Sequence, residues 1–225
     1  MDKNYLIQPG QRNHFIDYFE AHFVWSQRAV GMHVLGQFRM VAEPNRFVWL
    51  RGFTDRAARL AGLRGFYKGP VWQKYRGRAN EMIADSDQAY LLRLVGSDTG
   101  LTGGRTSETV AAELAAGTIS PDTGLIGVDF FQCDPARIES ASLETAANFR
   151  KAGIQVRAVM AADLIENDYP RLPIIQRAGE YVILSAYPSE AEFKGRRAPW
   201  GEAASVLRPH NTWQLAPTRQ SPLRW

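Results

Sequence analysis

Cysteine is nearly missing from this 225-residue chain: Cys133 stands alone, so no internal disulfide can form. A chain of this length buries a real core without cross-links, and a lone thiol is the usage of a reducing compartment, so a cytoplasmic location is expected. Cys133 falls at an expected strand end before Asp134-Pro135 and reads as a structural residue. Long apolar runs are missing too. No stretch approaches the roughly 20 apolar residues of a membrane span, and Met1-Asp2-Lys3-Asn4 lacks the apolar core of a signal peptide. With only four histidines and one cysteine the chain offers no zinc cluster, so no metal is expected. Nor is there a glycine-rich phosphate loop or a nucleophile elbow, and no cofactor is expected. No basic stripe alternates with aromatics along one helix, which sets nucleic acid aside as a partner.

What is present is the balance of an ordinary globular protein, 45% hydrophobic and 22% charged. The net charge of +4 hides three blocks: residues 1–96 carry 14 Lys+Arg against 8 Asp+Glu, 97–193 carry 7 against 14, and 194–225 carry 6 against 1. Such blocks can steer an anionic ligand or bring an acidic segment onto a basic one.

The pattern along the chain is a repeat. Tyr5 to Gln8 reads as a strand stopped by Pro9-Gly10, and Phe15, Phe19 and Phe23 at four-residue spacing predict a helix ended by Gly31. Met32 to Val41 and Arg46 to Phe53 predict a hairpin, Asp55 to Tyr67 a helix, Pro70 a second short helix, and Gln88 to Leu94 a last strand. That order is β-α-β-β-α-β, the split pattern of ferredoxin-like folds. Residues 97–123 turn to Gly, Ser, Thr and Ala and read as a linker with a short helix near Glu108 to Ala116. The pattern then restarts. Leu125 to Gln132 is a strand, Asp134-Pro135 opens a helix ended by Gly153, Ile154 to Ala161 and Glu180 to Tyr187 are strands, and a strand near Trp213 to Leu215 follows a degraded helix. The reading is α+β: two tandem ferredoxin-like repeats, 1–96 and 124–225. Each repeat's sheet needs a second sheet over its bare face, from the other repeat or from a second chain, and a homodimer is expected.

Four stretches carry a family resemblance. They are Gly36-Gln37-Phe38-Arg39; Asn45 to Phe53; Phe66-Tyr67-Lys68-Gly69-Pro70-Val71-Trp72 with Ala79 to Ser86; and Tyr169-Pro170-Arg171-Leu172-Pro173 with Leu215 to Ser221. Over nearly the whole chain these resemble the NIPSNAP family. The resemblance implies a dimeric α/β barrel, and its eukaryotic members are tied to mitochondria and vesicle traffic without a uniform activity. Similar barrels elsewhere include cofactor-free monooxygenases, polyketide cyclases, lactone isomerases and haem enzymes, so fold alone does not choose among them.

Strand alternation sorts the candidate residues. His33, Leu35, Gln37 and Arg39 share one face of the first hairpin strand, and Phe47, Trp49, Arg51 and Phe53 share one face of its partner. The purely apolar set suits a helix-facing core, so the mixed set with Gln37, Trp49 and Arg51 is expected to look into the barrel. There Arg51 can stabilise a carboxylate or enolate, Gln37 and Trp49 can hold the substrate, and His33 can act as a base. The bland alternative makes Arg51 the partner of Asp85 in a structural bridge. Asp85 itself is either an acid-base group or a turn-former. His14 and His22 lie on one helix face too far apart to share a metal, and read as solvated. Asp129, Arg157, Ser185 and Tyr187 of the second repeat form no triad.

Two functions remain open. One is a cofactor-free enzyme acting on a small, oxygenated, partly aromatic molecule inside the barrel, as an isomerase, cyclase, lyase or monooxygenase, with Arg51, His33 and Asp85 as catalytic candidates. The alternative is a non-catalytic small-molecule-binding or scaffold protein.

Overall fold

Helix α1 (Arg12–Arg28) forms on its aromatic stripe: Phe15, Phe19 and Phe23 are all buried on one face, each contributing on the order of 1.5–3 kcal/mol by leaving water. The chain leaves it through Gly31 at φ +78°, a conformation side chains resist. The structure, a computed structural model, describes residues 2–96, 101, 105–118, 124–197 and 208–225. Around α1 the first repeat lays down β1 (Asp2–Ile7), β2 (His33–Met40), β3 (Arg46–Gly52), α2 (Arg56–Lys68), α3 (Pro70–Met82), β4 (Ile83–Tyr90) and β5 (Leu92–Leu94). Asp55 caps α2 by accepting a hydrogen bond from the Ala58 N–H, and Pro70 opens α3. Strand β4 starts earlier than the β-forming run from Gln88 suggested, so Asp85 lies inside a strand rather than ahead of one.

After α4 (Ser107–Ala115) the second repeat follows: β6 (Leu125–Gln132), α5 (Ile138–Lys151), β7 (Gln155–Ala162), β8 (Glu180–Tyr187), α6 (Glu190–Arg197) and β9 (Asn211–Pro217). Its strand order, β9-β6-β8-β7, repeats the β4-β1-β3-β2 order of the first. Two short antiparallel seams join the halves. Phe38 to Met40 pair with Pro217 to Leu215, and Leu92 to Leu94 pair with Ala162 to Met160. Because β5 continues β4 after a break at Leu91, the nine strands among the described residues return on themselves as a barrel. The second sheet that each repeat requires is therefore the other repeat. The sheet faces give a second chain nothing to cover, and the homodimer argument drawn from them falls away.

Inside the barrel sit Phe38, Met40, Val48 and Leu50 from the first half against Ile126, Val128, Phe130, Val182, Leu184 and Trp213 from the second. Outside, α1 to α3 cover Tyr5, Phe47 and Trp49, and α5 covers Phe131, Tyr181 and Ile183. Both faces of strands β3, β6 and β8 are thus buried.

The halves share an irregularity. In the β2–β3 ladder the register shifts between Val34 and Gly36, and in β7–β8 it shifts between Val156 and Ala158. A side chain at Gly36 would meet the Phe38 ring at 2.3 Å and Leu223 at 3.2 Å, which keeps that position to glycine.

Helix α4 lies within the stretch expected as a linker. Its Val110 is fully buried, Glu108 pairs with Arg28, and Arg105 pairs with Glu113 at 3.2 Å. Residues 97–100, 102–104 (Gly103-Gly104 among them) and 119–123 fall outside the described residues. The C-terminal residues 218–225 are threaded into the fold: Thr218 and the Gln220 N–H donate to the buried Glu20 carboxylate, and Arg224 donates to the carbonyls of Thr218, Arg219 and Ser221.

Candidate functional site

A cleft of about 310 Å³ opens on the helix side of the first repeat, between β1, the α2–α3 corner and the segment that follows β7. The corner is made by Lys68-Gly69-Pro70. A side chain at Gly69 would lie 2.5 Å from the Gly65 carbonyl oxygen, so glycine alone lets the two helices meet there. The bend puts Tyr67 and Trp72 edge to face, with centroids 5.0 Å apart, on one wall of the cleft. The opposite wall comes from the second half of the chain. Arg56 and Arg59 bind Asp168 and tie that segment to α2, and Tyr169 stacks on Tyr67 with centroids 6.0 Å apart.

The rim is cationic. Lys68, Arg76 and Arg171 line the cleft beside Asn80 and Ser86, and among the described residues no carboxylate or histidine does. Tyr5 forms the floor, and behind it a narrow recess runs between Trp49, Gln27, Phe23 and Ala79. Burial pushes the Tyr5 phenol far above its ordinary pKa, and neighbouring Tyr67 adds to that; Arg51 and the Trp49 indole N–H pull the other way and do not offset it. Tyr5 is therefore a neutral hydrogen-bond donor throughout the working pH range. Burial also raises the Tyr169 phenol, with Tyr67 next.

The structure separates the residues that alternation had grouped. Arg51 is fully buried, its guanidinium carbon 4.8 Å from the Trp49 ring centre and 5.8 Å from that of Phe53, with Nη1 3.9 Å from the Met32 sulfur. Its charge reaches Tyr5 and Tyr169, so it belongs to the helix-side layer behind the cleft. Trp49 packs against Phe19 and Tyr5 in that layer, and Gln37 pairs directly with Trp49. The expectation that Gln37, Trp49 and Arg51 look into the barrel is thus overturned. The purely apolar set fills the barrel, and the aromatic mixed set faces the helices. His33 and Asp85 go elsewhere. The β2 bulge pairs His33 with Gly52, and Asp85 pairs with Leu6, so both take the opposite face of the sheet from Trp49. His33 lies exposed beside Arg28 and Arg105, and Asp85 accepts the Asp87 N–H at 2.9 Å, as a turn-former does. His22 stacks on Tyr75 at 3.9 Å.

Register places each half's residues opposite one another. Tyr5 faces Phe47 as Phe131 faces Tyr181; Gln37 faces Trp49 as Val159 faces Ile183; Val34 faces Arg51 as Val156 faces Ser185. Gln27 and Phe149 each offer the carbonyl that receives the residue after the helix-ending glycine. Tyr5, Gln27, Gln37, Trp49 and Arg51 of the first half thus correspond to Phe131, Phe149, Val159, Ile183 and Ser185 of the second. Polar groups are built into one half and replaced by mostly apolar ones in the other.

Sequence reasoning missed Tyr5, Tyr67, Arg76, Asn80, Tyr169 and Arg171. A signal was there: parts of two of the four resembling stretches, around Tyr67 and Tyr169, line this cleft, and Trp49 of a third lines the recess behind its floor. Among the described residues no group of three or more His, Cys, Asp or Glu side chains could hold a metal ion, and no helix is long and apolar enough to cross a membrane.

No family model matches the chain, and no curated protein does. Solved structures do. One is a candidate monooxygenase from Lactobacillus acidophilus NCFM, 11% identical, covering 96% of this chain and 91% of the other at a TM-score of 0.54. Another is an anthrone oxidase-like protein, 10% identical, covering 96% and 90% at a TM-score of 0.51. At such identities the likeness is one of fold: this chain has the ferredoxin-like, barrel-forming α+β architecture found in monooxygenase-type proteins.

Proposed function

We propose that the chain is a cofactor-independent oxygenating enzyme whose substrate is a planar, ionisable phenol or enol bound in the helix-side cleft of the first repeat. The observation that carries this reading is the lining: Tyr5, Tyr67, Trp72 and Tyr169 around a rim with Lys68, Arg76 and Arg171 and, among the described residues, no carboxylate. Aromatic walls accept a flat ring, and unopposed cations favour its anion over its neutral form. Ionisation is the step such chemistry needs, because an electron-rich carbanion or phenolate can give electrons to dioxygen directly. For an anthrone-like methylene, one oxygen atom is kept as the new carbonyl and the other leaves as water with the two hydrogens, so one dioxygen closes the balance. With no histidine or carboxylate among the described residues lining the cleft, the cations do the work of lowering the substrate's pKa, and Arg51 adds to their field from behind Tyr5. Trp49 and Gln37 act as support for that floor, while His33 and Asp85 take no part from their face of the sheet. The kinship favoured is with NIPSNAP-type barrels, because two of the resembling stretches, around Tyr67 and Tyr169, line the cleft, and the lone cysteine fits a cytoplasmic enzyme. A homodimer would have to form through the outer helices.

Oxygen consumption with an anthrone as probe substrate tests the reading. Uptake of one dioxygen per quinone formed is expected. The pH profile should follow the acidity of the probe across a substituted series, and Arg76→Met should lower turnover about tenfold or more. No uptake with any ionisable phenol or anthrone, or a profile indifferent to probe acidity, would overturn it.

A further inference from the structure

We propose a second ligand site, in the mouth of the barrel, that takes a neutral, flat, lactam-bearing aromatic molecule. This inference is independent of the helix-side cleft. The cavity there measures about 360 Å³, room for a two-ring molecule, and opens between the first strands of the first half and β9 of the second. Tyr90, Phe130 and Trp213 form its inner wall, their ring centres 4.6 to 5.8 Å apart.

Three residues lining the mouth carry a buried polar atom with no hydrogen-bond partner among the described residues, Asn4, Arg46 and Gln214; Gln214 alternates with the inward Trp213 on β9, which leaves Asn4 and Arg46 on the inner face. Asn4 is 4% exposed; its amide nitrogen donates to Gln88 at 3.1 Å, but its Oδ1 has no hydrogen-bond partner among the described residues. Arg46 gives its Nε–H to Glu43 at 3.0 Å, and its buried Nη1 likewise has no partner among them. Buried acceptors and donors are rarely left so without a function, since each forfeits its hydration. Pairing makes them diagonal neighbours on the inner face: Asn4 sits opposite Val48, and Arg46 opposite Leu6, the next inward position of β1. The site therefore asks its ligand for one N–H and one oxygen acceptor, carried on a ring that packs against aromatics.

Charge rules out an anion. Arg46 already holds Glu43, and Arg177 holds the buried Glu180 at 3.3 Å with His210 3.9 Å from the same carboxylate. Each arginine at the mouth has its carboxylate, and the Asn4 oxygen would repel another anionic oxygen. A ring lactam satisfies both orphans, its N–H donating to Asn4 Oδ1 and its carbonyl accepting from Arg46.

Calorimetric titration with 2-quinolone and its N-methyl derivative tests this. The wild-type chain should bind one 2-quinolone and hold the N-methyl compound, which lacks the N–H, about tenfold more weakly. Asn4→Leu should erase that difference. Arg46→Met should weaken both ligands, and Arg76→Met, in the helix-side cleft, should change neither. Absence of saturable 2-quinolone binding overturns the proposal. So does binding that survives Asn4→Leu and Arg46→Met but is lost in Arg76→Met, which would put the ligand in the other cleft. Circular dichroism checks each variant's fold; if Asn4→Leu does not fold, the N-methyl comparison and Arg46→Met decide the matter.

Discussion

Arg51 shows how much a single side chain can do from behind a site. It is fully buried between Met32, Trp49 and Phe53, and its field reaches Tyr5 and Tyr169 at the cleft. A guanidinium over aromatic faces is held partly by cation–π attraction, and an unbranched methionine side chain refills much of the volume it leaves. Arg51→Met is therefore expected to leave the thermal midpoint within a few degrees while weakening an ionised phenolic ligand about tenfold. Melting curves set beside ligand affinities decide the matter. A collapsed midpoint with undiminished affinity per folded molecule would make Arg51 a structural residue and retire its part in binding.

At the scale of elements, the clamp between α1 and the C-terminal segment carries a pH signature. Glu20 accepts from Thr218 and from the Gln220 N–H, yet burial outweighs both and raises its pKa above the ordinary 4.5. A raised folded value means folding favours the protonated acid. The stability it lends is full below the ordinary carboxyl range and fades as pH rises through the folded value. Glu20→Gln should therefore show a smaller fall in thermal midpoint from acidic to neutral pH than the wild type. Equal slopes would dismiss Glu20 as the source.

Much of this level was legible in the sequence, and for identifiable reasons. The Phe15, Phe19, Phe23 stripe has one helical solution, Gly31 and Gly153 both take the positive φ that ends a helix, and Glu180 to Tyr187 is a strand to the residue. Which face of the strands looks inward was not legible. Alternation is blind to that choice when both faces are buried, and here aromatic crowding by α1 drew Phe47 and Trp49 outward. The bulge at Val34 to Gly36 broke the alternation itself and separated His33 from Gln37. The cleft was hidden because one of its walls crosses over from the other half, brought there by Asp168, Tyr169 and their contacts on α2, which no local pattern encodes.

At the scale of the molecule, the two seams close nine strands within one chain and leave neither inner sheet face bare. Light scattering at micromolar concentration is expected to give a mass near 25.2 kDa, that of a single chain. Twice that mass would mean that copies associate through the outer helices instead.

The substitution of Tyr5, Gln27, Gln37 and Trp49 by Phe131, Phe149, Val159 and Ile183 across the halves has a consequence for stoichiometry. A barrel assembled from two identical chains must present every site twice, and any mutation strikes both copies at once. Covalent fusion lifts that symmetry constraint. One half becomes free to act as a permanent filled scaffold while the other keeps its polar floor, so a saturated solution should hold one phenolic ligand per barrel.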